Sequence, residues 1–265
     1  MQKIFNELTT KFKKNRGKLS TAQFENFISQ KVDLYTDIEQ FLMILQASGY
    51  PISQNKNGFK LDTYFRSYKN QKFCIIDIET NGSKPSTSQV IEIGAIMVQN
   101  GKIIDKFETF VNASFIPEYI TKITSITIED LKNAPSLKDA LTSLREFLED
   151  TIFVAHNVKF DFSYLDFSFE RCGLGNIANQ KFCTIDLARR TFQSPRYGLA
   201  YLNEALNIDV ANHHRAYSDA YSAYIVMEKS FENIPKSIRS TEELIEFSVS
   251  NIKSRKELEK ENKKD

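Results

Sequence analysis

No stretch of this sequence is apolar for the roughly 18 residues that a membrane-spanning helix needs. Its opening residues, MQKIFNELTTKFKKNRGK, lack the apolar core of a secretory signal. A membrane-bound or exported protein is therefore not expected, and a cytoplasmic one is. Cysteine is scarce: Cys74, Cys172 and Cys183 are odd in number, sit in apolar segments and have no metal-ligand spacing. Reduced thiols are expected in place of a disulfide framework or a zinc site. Histidine is equally rare, with His156, His213 and His214 the only three in 265 residues. An excess of charge is missing too, since 35 basic and 34 acidic residues leave a net charge of +1. That balance hides an asymmetry. Residues 1–70 carry 11 Lys/Arg against 6 Asp/Glu, and the remainder carries 24 against 28. A basic front on an acidic body points to two units with different tasks, although a charge run by itself is more often only a solvated face.

What is present is ordinary for a globular chain, 41% hydrophobic and 26% charged. Residues 1–15 and 21–30 read as short helices. The segment DLYTDIEQFLMILQASGY places Leu34, Ile38, Phe41, Leu42 and Leu45 at helical intervals, with Gly49 as a stop. Asn57-Gly58 between apolar alternating segments predicts a hairpin. From residue 72 the pattern changes. KFCIIDI, QVIEIGAIMV and KIIDKFETFV form a β-rich series whose last two runs meet at Asn100-Gly101, which predicts an antiparallel meander. Helices are then expected at IPEYITKI and SLKDALTSLREFLED, a strand at TIFVAHN and a helix from VKFDFSYLDFSFERCG to Gly173. A short strand at QKFCTID and helices at LARRTF, GLAYLNEAL and RAYSDAYSAYIVMEKSF follow. Strands first, then strand and helix in alternation, give an α/β layer with a mixed sheet. Residues 233–265 read as a charged, partly helical tail, with Ile245, Val249 and Ile252 on one helical stripe.

Three constellations interrupt this pattern. Asp77 and Glu79 close the apolar run Cys74-Ile75-Ile76 and, two apart in a strand, project to the same side. Like charges so placed oppose each other's ionisation unless a cation sits between them. Asp161 lies one turn into a helix whose N-cap is Asn157, where an acid also complements the helix dipole. Asp219 lies five residues after His214, on a helix whose apolar stripe is Ala216, Ala220, Ala223 and Met227. Each acid has a bland reading as a solvated strand end or helix surface. The histidine census argues otherwise, because all three histidines fall in the two segments that carry Asp161 and Asp219.

Together D-I-E-T-N-G at 77–82, H-N-V-K-F-D at 156–161 and H-R-A-Y-S-D at 214–219 resemble the three motifs of the DEDD exonucleases. The histidine five positions before the last acid resembles the DEDDh branch, and the nearest likeness is to the proofreading epsilon-type subunit of bacterial DNA polymerase III. The likeness covers about residues 71–232, including QVIEIGAI and CTIDLARRTF. It departs at Ser125, where relatives often carry glycine, which bears on loop shape and not on chemistry. It implies a ribonuclease H-like mixed β-sheet flanked by helices over 71–232. Ahead of it, three helices and a hairpin within residues 1–68 look like a small winged-helix-like α+β domain. Such modules bind nucleic acid or contact protein. The basic run Lys11, Lys13, Lys14, Arg16, Lys18 favours the first, whereas Asp33, Asp37 and Glu39 on the third helix would repel phosphate.

The resemblance implies 3′→5′ hydrolysis of the terminal phosphodiester with release of a nucleoside monophosphate, in proofreading for a replicative polymerase. Two divalent cations, Mg²⁺ or Mn²⁺, about 4 Å apart would serve both the attacking and the leaving oxygen. Asp77, Glu79, Asp161 and Asp219 are then the metal ligands, and a charge of +4 explains why the acids tolerate one another. His214 is the implied general base, since an imidazole suits proton abstraction at neutral pH. His213, six residues from Asp219, is left to solvent. Thr80, Asn81 and His156 are candidate contacts to substrate, with His156 equally able to fill space. The implied partners are a single-stranded or frayed DNA 3′ end and a DNA polymerase catalytic subunit, with no membrane. Two other readings stand beside this one: an RNA 3′ exonuclease like ribonuclease T or oligoribonuclease, and a non-catalytic winged-helix adaptor.

Overall fold

The computed structural model describes residues 1–31, 37–209 and 214–249. The chain opens with helix α1 (Gln2–Lys14), strand β1 (Lys18–Leu19), helices α2 (Thr21–Lys31) and α3 (Ile38–Ala47), and the hairpin β2 (Ile52–Asn55) and β3 (Gly58–Leu61). The three strands form an antiparallel sheet in the order β1-β3-β2. The apolar faces close on a core that includes Phe5, Leu8, Phe12, Phe24, Phe41, Leu45 and Phe59. Asp37 caps α3, accepting a hydrogen bond from the Glu39 amide at 2.9 Å. The hairpin is shifted by one residue from the expected turn. Asn55 pairs with Gly58, so Lys56 and Asn57 span the loop and Gly58 begins β3. Its φ of +134° and the Leu19 carbonyl, which a Cβ would strike, explain the glycine there.

A short helix α4 (Asp62–Phe65) leads into the second sheet, built from β4 (Phe73–Thr80), β5 (Val90–Gln99) and β6 (Lys102–Phe110). These form the expected meander, turning between β5 and β6 at Asn100 and Gly101 with φ of +54° and +68°. Helices α5 (Glu118–Thr124), α6 (Ile128–Leu131) and α7 (Leu137–Leu148) then cross to β7 (Ile152–Ala155) and α8 (Val158–Arg171). Strand β8 (Lys181–Cys183) completes the sheet, and α9 (Thr184–Thr191), α10 (Leu199–Ala205), α11 (Ala216–Phe231) and α12 (Thr241–Val249) follow. The strand order is β6-β5-β4-β7-β8, with β7 parallel to β4 and to β8. Ser125 ends α5 at φ +59°, so the turn keeps a left-handed residue although the side chain is serine.

Alternation along β4 decides what faces where. Cys74, Ile76 and Ile78 pack with residues of α7 and α8, including Leu141, Leu144, Phe162 and Leu165. Phe73 and Ile75 pack on the opposite side with Ala220, Ala223 and Met227 of α11 and Leu244 of α12. The segment after residue 232 is not simply a tail. Leu244 and Ile245 of α12 are buried in this core, while Val249 is 64% exposed and Ile252 lies outside the described residues. The stripe expected from spacing is therefore replaced by one that includes Thr241, Leu244, Ile245 and Ser248, because the core meets the helix on that side. Glu242 is buried and joins α12 to the first unit, holding the Lys13 ammonium at 2.6 Å and accepting from the Thr63 hydroxyl at 2.8 Å. Gln2 donates to Asp166 of α8 at 2.9 Å, a second tie across the same seam.

Candidate active site

Strand β4 reaches its C-terminal end with Asp77 and Glu79 on the face covered by α11. Pairing with β5 stays in register through Asp77 and Glu79 and shifts between Glu79 and Thr80, so the regular ladder ends just past the acids. Opposite Asp77 on β5 stands Gly94, and a Cβ there would strike the backbone of Ala216 and Tyr217. The missing side chain lets the N-terminus of α11 lie on the sheet, which brings Asp219 over the strand end. Asp77, Glu79 and Asp219 each present a carboxylate oxygen within 4.8 Å of the others. Asp161, in the first turn of α8, is buried at 3% exposure and adds its field to Asp77 and Glu79.

The electrostatics record that convergence. Burial pushes the Asp77 carboxyl well above its ordinary range, and Asp161, Asp219, Glu79 and Glu92 push it further. Glu79 is raised to about 8 by burial and then by Asp219, Glu92 and Asp161, against the opposing pull of Arg215. Asp161 is raised to about 7 by burial, partly offset by hydrogen bonds from its own amide and that of Ile78. Such a group of acids lacks positive charge. Arg215 does not supply it, because Glu92 holds its guanidinium with contacts of 2.7 and 3.0 Å. All four donors are hard oxygens, the set that suits Mg²⁺ or Mn²⁺ and not a soft metal.

Glu92 is the functional residue that sequence reasoning passed over. It is 1% exposed on β5, pairs with Arg215 and accepts the Ala216 amide at 3.0 Å. It thereby fixes the first turn of α11, the turn that carries Asp219. The available signal was an acid inside the otherwise apolar run QVIEIGAI and an arginine inside H-R-A-Y-S-D.

The remaining candidates separate. His214 precedes α11 with φ +58°, is exposed, and lines one cavity with Asp219. Its ring has no hydrogen-bond partner among the described residues. His213 lies outside those residues. His156 is taken up by protein on both sides, with Nδ1 2.8 Å from the Thr184 hydroxyl and Nε2 2.8 Å from the Tyr197 carbonyl. Burial lowers it to about 4, so the ring is neutral, with Nε2–H donating to the carbonyl and Nδ1 accepting from the hydroxyl. Asn157 occupies the N-cap position of α8 but in a left-handed conformation, φ +80°, without a side-chain capping bond. Thr80 is 8% exposed. Asn81 braces the following loop, its Nδ2 donating to the Phe115 carbonyl at 2.9 Å and its Oδ1 accepting from the Gln89 amide at 2.7 Å.

A mixed five-stranded sheet with acids gathered at the end of its central strand is the ribonuclease H-like arrangement of DEDD-type 3′–5′ exonucleases. Residues 74–227 match the RNase T exonuclease family, and the chain belongs to that family. Among curated proteins, DNA polymerase III PolC-type of Staphylococcus epidermidis is 36% identical over 166 residues, 62% of this chain and 12% of that protein. The PolC-type polymerase of Staphylococcus haemolyticus is 37% identical over 166 residues, with the same coverage. The chain thus spans about an eighth of the length of these relatives. Among solved structures, E. coli exonuclease I in complex with single-stranded DNA superposes with a TM-score of 0.57 at 19% identity, over 63% of this chain and 42% of that one. Exonuclease X bound to 5′-overhanging duplex DNA superposes with a TM-score of 0.50 at 23% identity, over 66% and 99%.

Proposed function

We propose that this protein removes nucleoside 5′-monophosphates one at a time from DNA 3′ ends and edits for a replicative DNA polymerase. The observation that carries the reading is the gathering of Asp77, Glu79 and Asp219 beside buried Asp161, four acids whose repulsion a pair of divalent cations would relieve. Those four residues would hold Mg²⁺ or Mn²⁺, and bound ions supply Lewis-acid activation of water and charge stabilisation at the leaving oxygen. His214, at the edge of the same acids, takes the proton of the attacking water, a step worth about 10²- to 10⁴-fold. Thr80 and Asn81 shape the rim that receives the terminal nucleotide, whereas His156 stabilises the loop after β7. The likeness to PolC-type polymerases supports the editing role, and the DNA-bound exonucleases of the same fold support the substrate class. The three unpaired thiols fit a cytoplasmic setting.

For residues 1–68 we infer a winged-helix-like unit that attaches the nuclease to a partner. Its helix–strand–helix–helix–hairpin order supports this, and the acids Asp37 at the N-cap and Glu39 in the first turn of α3 speak against duplex reading by that helix.

The test is hydrolysis of matched and mispaired DNA 3′ ends and of an RNA 3′ end, with Mn²⁺ supplied. Faster release from mispaired or single-stranded DNA is expected. Preference for RNA would replace the substrate assignment while leaving the chemistry intact. Asp77→Ala is expected to abolish hydrolysis with the fold retained. His214→Ala should lose about 10²- to 10⁴-fold at neutral pH and recover part of it in alkaline solution, where hydroxide replaces the base. Normal rates in Asp77→Ala would end the reading.

A further inference from the structure

Asn203, on α10, is 3% exposed, and among the described residues neither its Oδ1 nor its Nδ2 has a hydrogen-bond partner. Buried amides are almost always paired, because leaving one unpaired forfeits the hydration it had in the unfolded chain. This orphan lies on the wall of a cavity of about 460 Å³ that His214 and Asp219 also line. The other walls are Leu199, Ala200 and Ile208, which offer no polar side-chain atom, and Glu204, which is exposed. Asp219 faces Asp77 and Glu79. One cavity therefore holds two complementary groups without a partner among the described residues, a buried amide and the imidazole of His214.

We propose that Asn203 is a positioning residue for the His214 base: when the imidazole turns into the cavity, Asn203 Oδ1 accepts its Nδ1–H. That bond fixes the tautomer, leaving the Nε2 lone pair free to take a proton from the attacking water, and it steadies the imidazolium that results. A base oriented by a third group recurs wherever proton abstraction must be directed. Side-chain rotation of an exposed histidine is fast enough not to limit turnover. The inference rests on His214 being the base.

Asn203→Leu separates a functional orphan from a structural one. A structural amide, once removed, lowers the melting temperature. Here the orphan disappears, so the melting temperature is expected to rise while kcat falls about 10- to 100-fold with KM unchanged. Asn203→Asp keeps an acceptor and should retain more of kcat than Asn203→Leu. In a His214→Ala background, Asn203→Leu should have no further effect on kcat. An equal loss in both backgrounds would overturn the proposal, as would full activity in Asn203→Leu or a fall in stability that matches the fall in rate. Full activity of His214→Ala alone would instead overturn the assignment of the base. Asn203→Ala, a smaller change, is read the same way should the leucine fail to fit.

Discussion

At the scale of single residues, the site is governed by charge that the protein alone does not neutralise. Glu79 at about 8 and Asp161 at about 7 hold protons in the folded protein that they release in the unfolded chain near 4.5 and 3.8. Between those limits the native state binds more protons than the unfolded one, so stability falls as pH rises. His156 works the other way, but only between about 6.5 and 4, where the unfolded ring is the better proton acceptor. From pH 6.5 to 8 the acids therefore dominate, since Lys181, lowered to about 8 by burial, opposes them only at the upper end. In the presence of a chelator the melting temperature is expected to drop across that interval. Mn²⁺ should restore more of it at pH 8 than at pH 6.5, where protons compete for the same oxygens. Asp77→Asn should flatten the pH slope. A flat profile in the wild-type protein, measured by thermal melts in chelator, would contradict the assigned electrostatics. The same residues show what reading the chain allowed. Asp77, Glu79, Asp161, Asp219 and His214 stood out as candidates because their spacing matches motifs, and the structure gathers Asp77, Glu79 and Asp219. Glu92 did not stand out, since an isolated acid in an apolar strand has no local signature until Arg215, 123 residues later, is placed beside it.

At the scale of elements, the contact between β5 and α11 does most to assemble the site. Gly94 admits the α11 backbone and Glu92 locks its first turn through Arg215 and the Ala216 amide. Gly94→Ala would force that backbone away from the sheet at the position facing Asp77. The expected result is loss of at least about 10²-fold in exonuclease rate and weaker Mn²⁺ binding by titration calorimetry, with the remaining sheet intact by circular dichroism. Retained metal affinity would mean that Asp219 is placed by something else. Long, strongly patterned segments such as β4, β5, α7 and α8 fell close to where periodicity put them. The errors lie where tertiary contact overrides local preference. At Gly58 the turn is displaced by one residue, and the glycine begins β3 where a Cβ would strike the Leu19 carbonyl. In the segment read as the strand QKFCTID, Thr184 instead opens α9.

At the scale of the whole molecule, α12 closes the seam between the first unit and the nuclease sheet. Its buried Glu242 reaches Lys13 of α1 and Thr63 of α4, while Leu244 enters the sheet's own core. Removing that acid leaves the Thr63 hydroxyl without its acceptor, although Lys13, being 31% exposed, can turn to water. Glu242→Ala is expected to cost about 1–3 kcal/mol in urea unfolding. It should also split a shared transition into two, with residues 1–61 opening first, as read by hydrogen exchange. A single unchanged transition would show that the seam is held elsewhere.

The amino-acid sequence by itself supplied the candidate chemistry: acids and a histidine at motif spacing, set into strands and helices whose apolar periodicity assigns them to an α/β layer. That much is local, since spacing and alternation act over a few residues. Only the tertiary structure decided how α12 joins the two units, that both ring nitrogens of His156 are engaged by protein, and that Asn203 is buried with no partner among the described residues. Those outcomes depend on burial and on groups distant in the chain, and neither exists until the chain has folded.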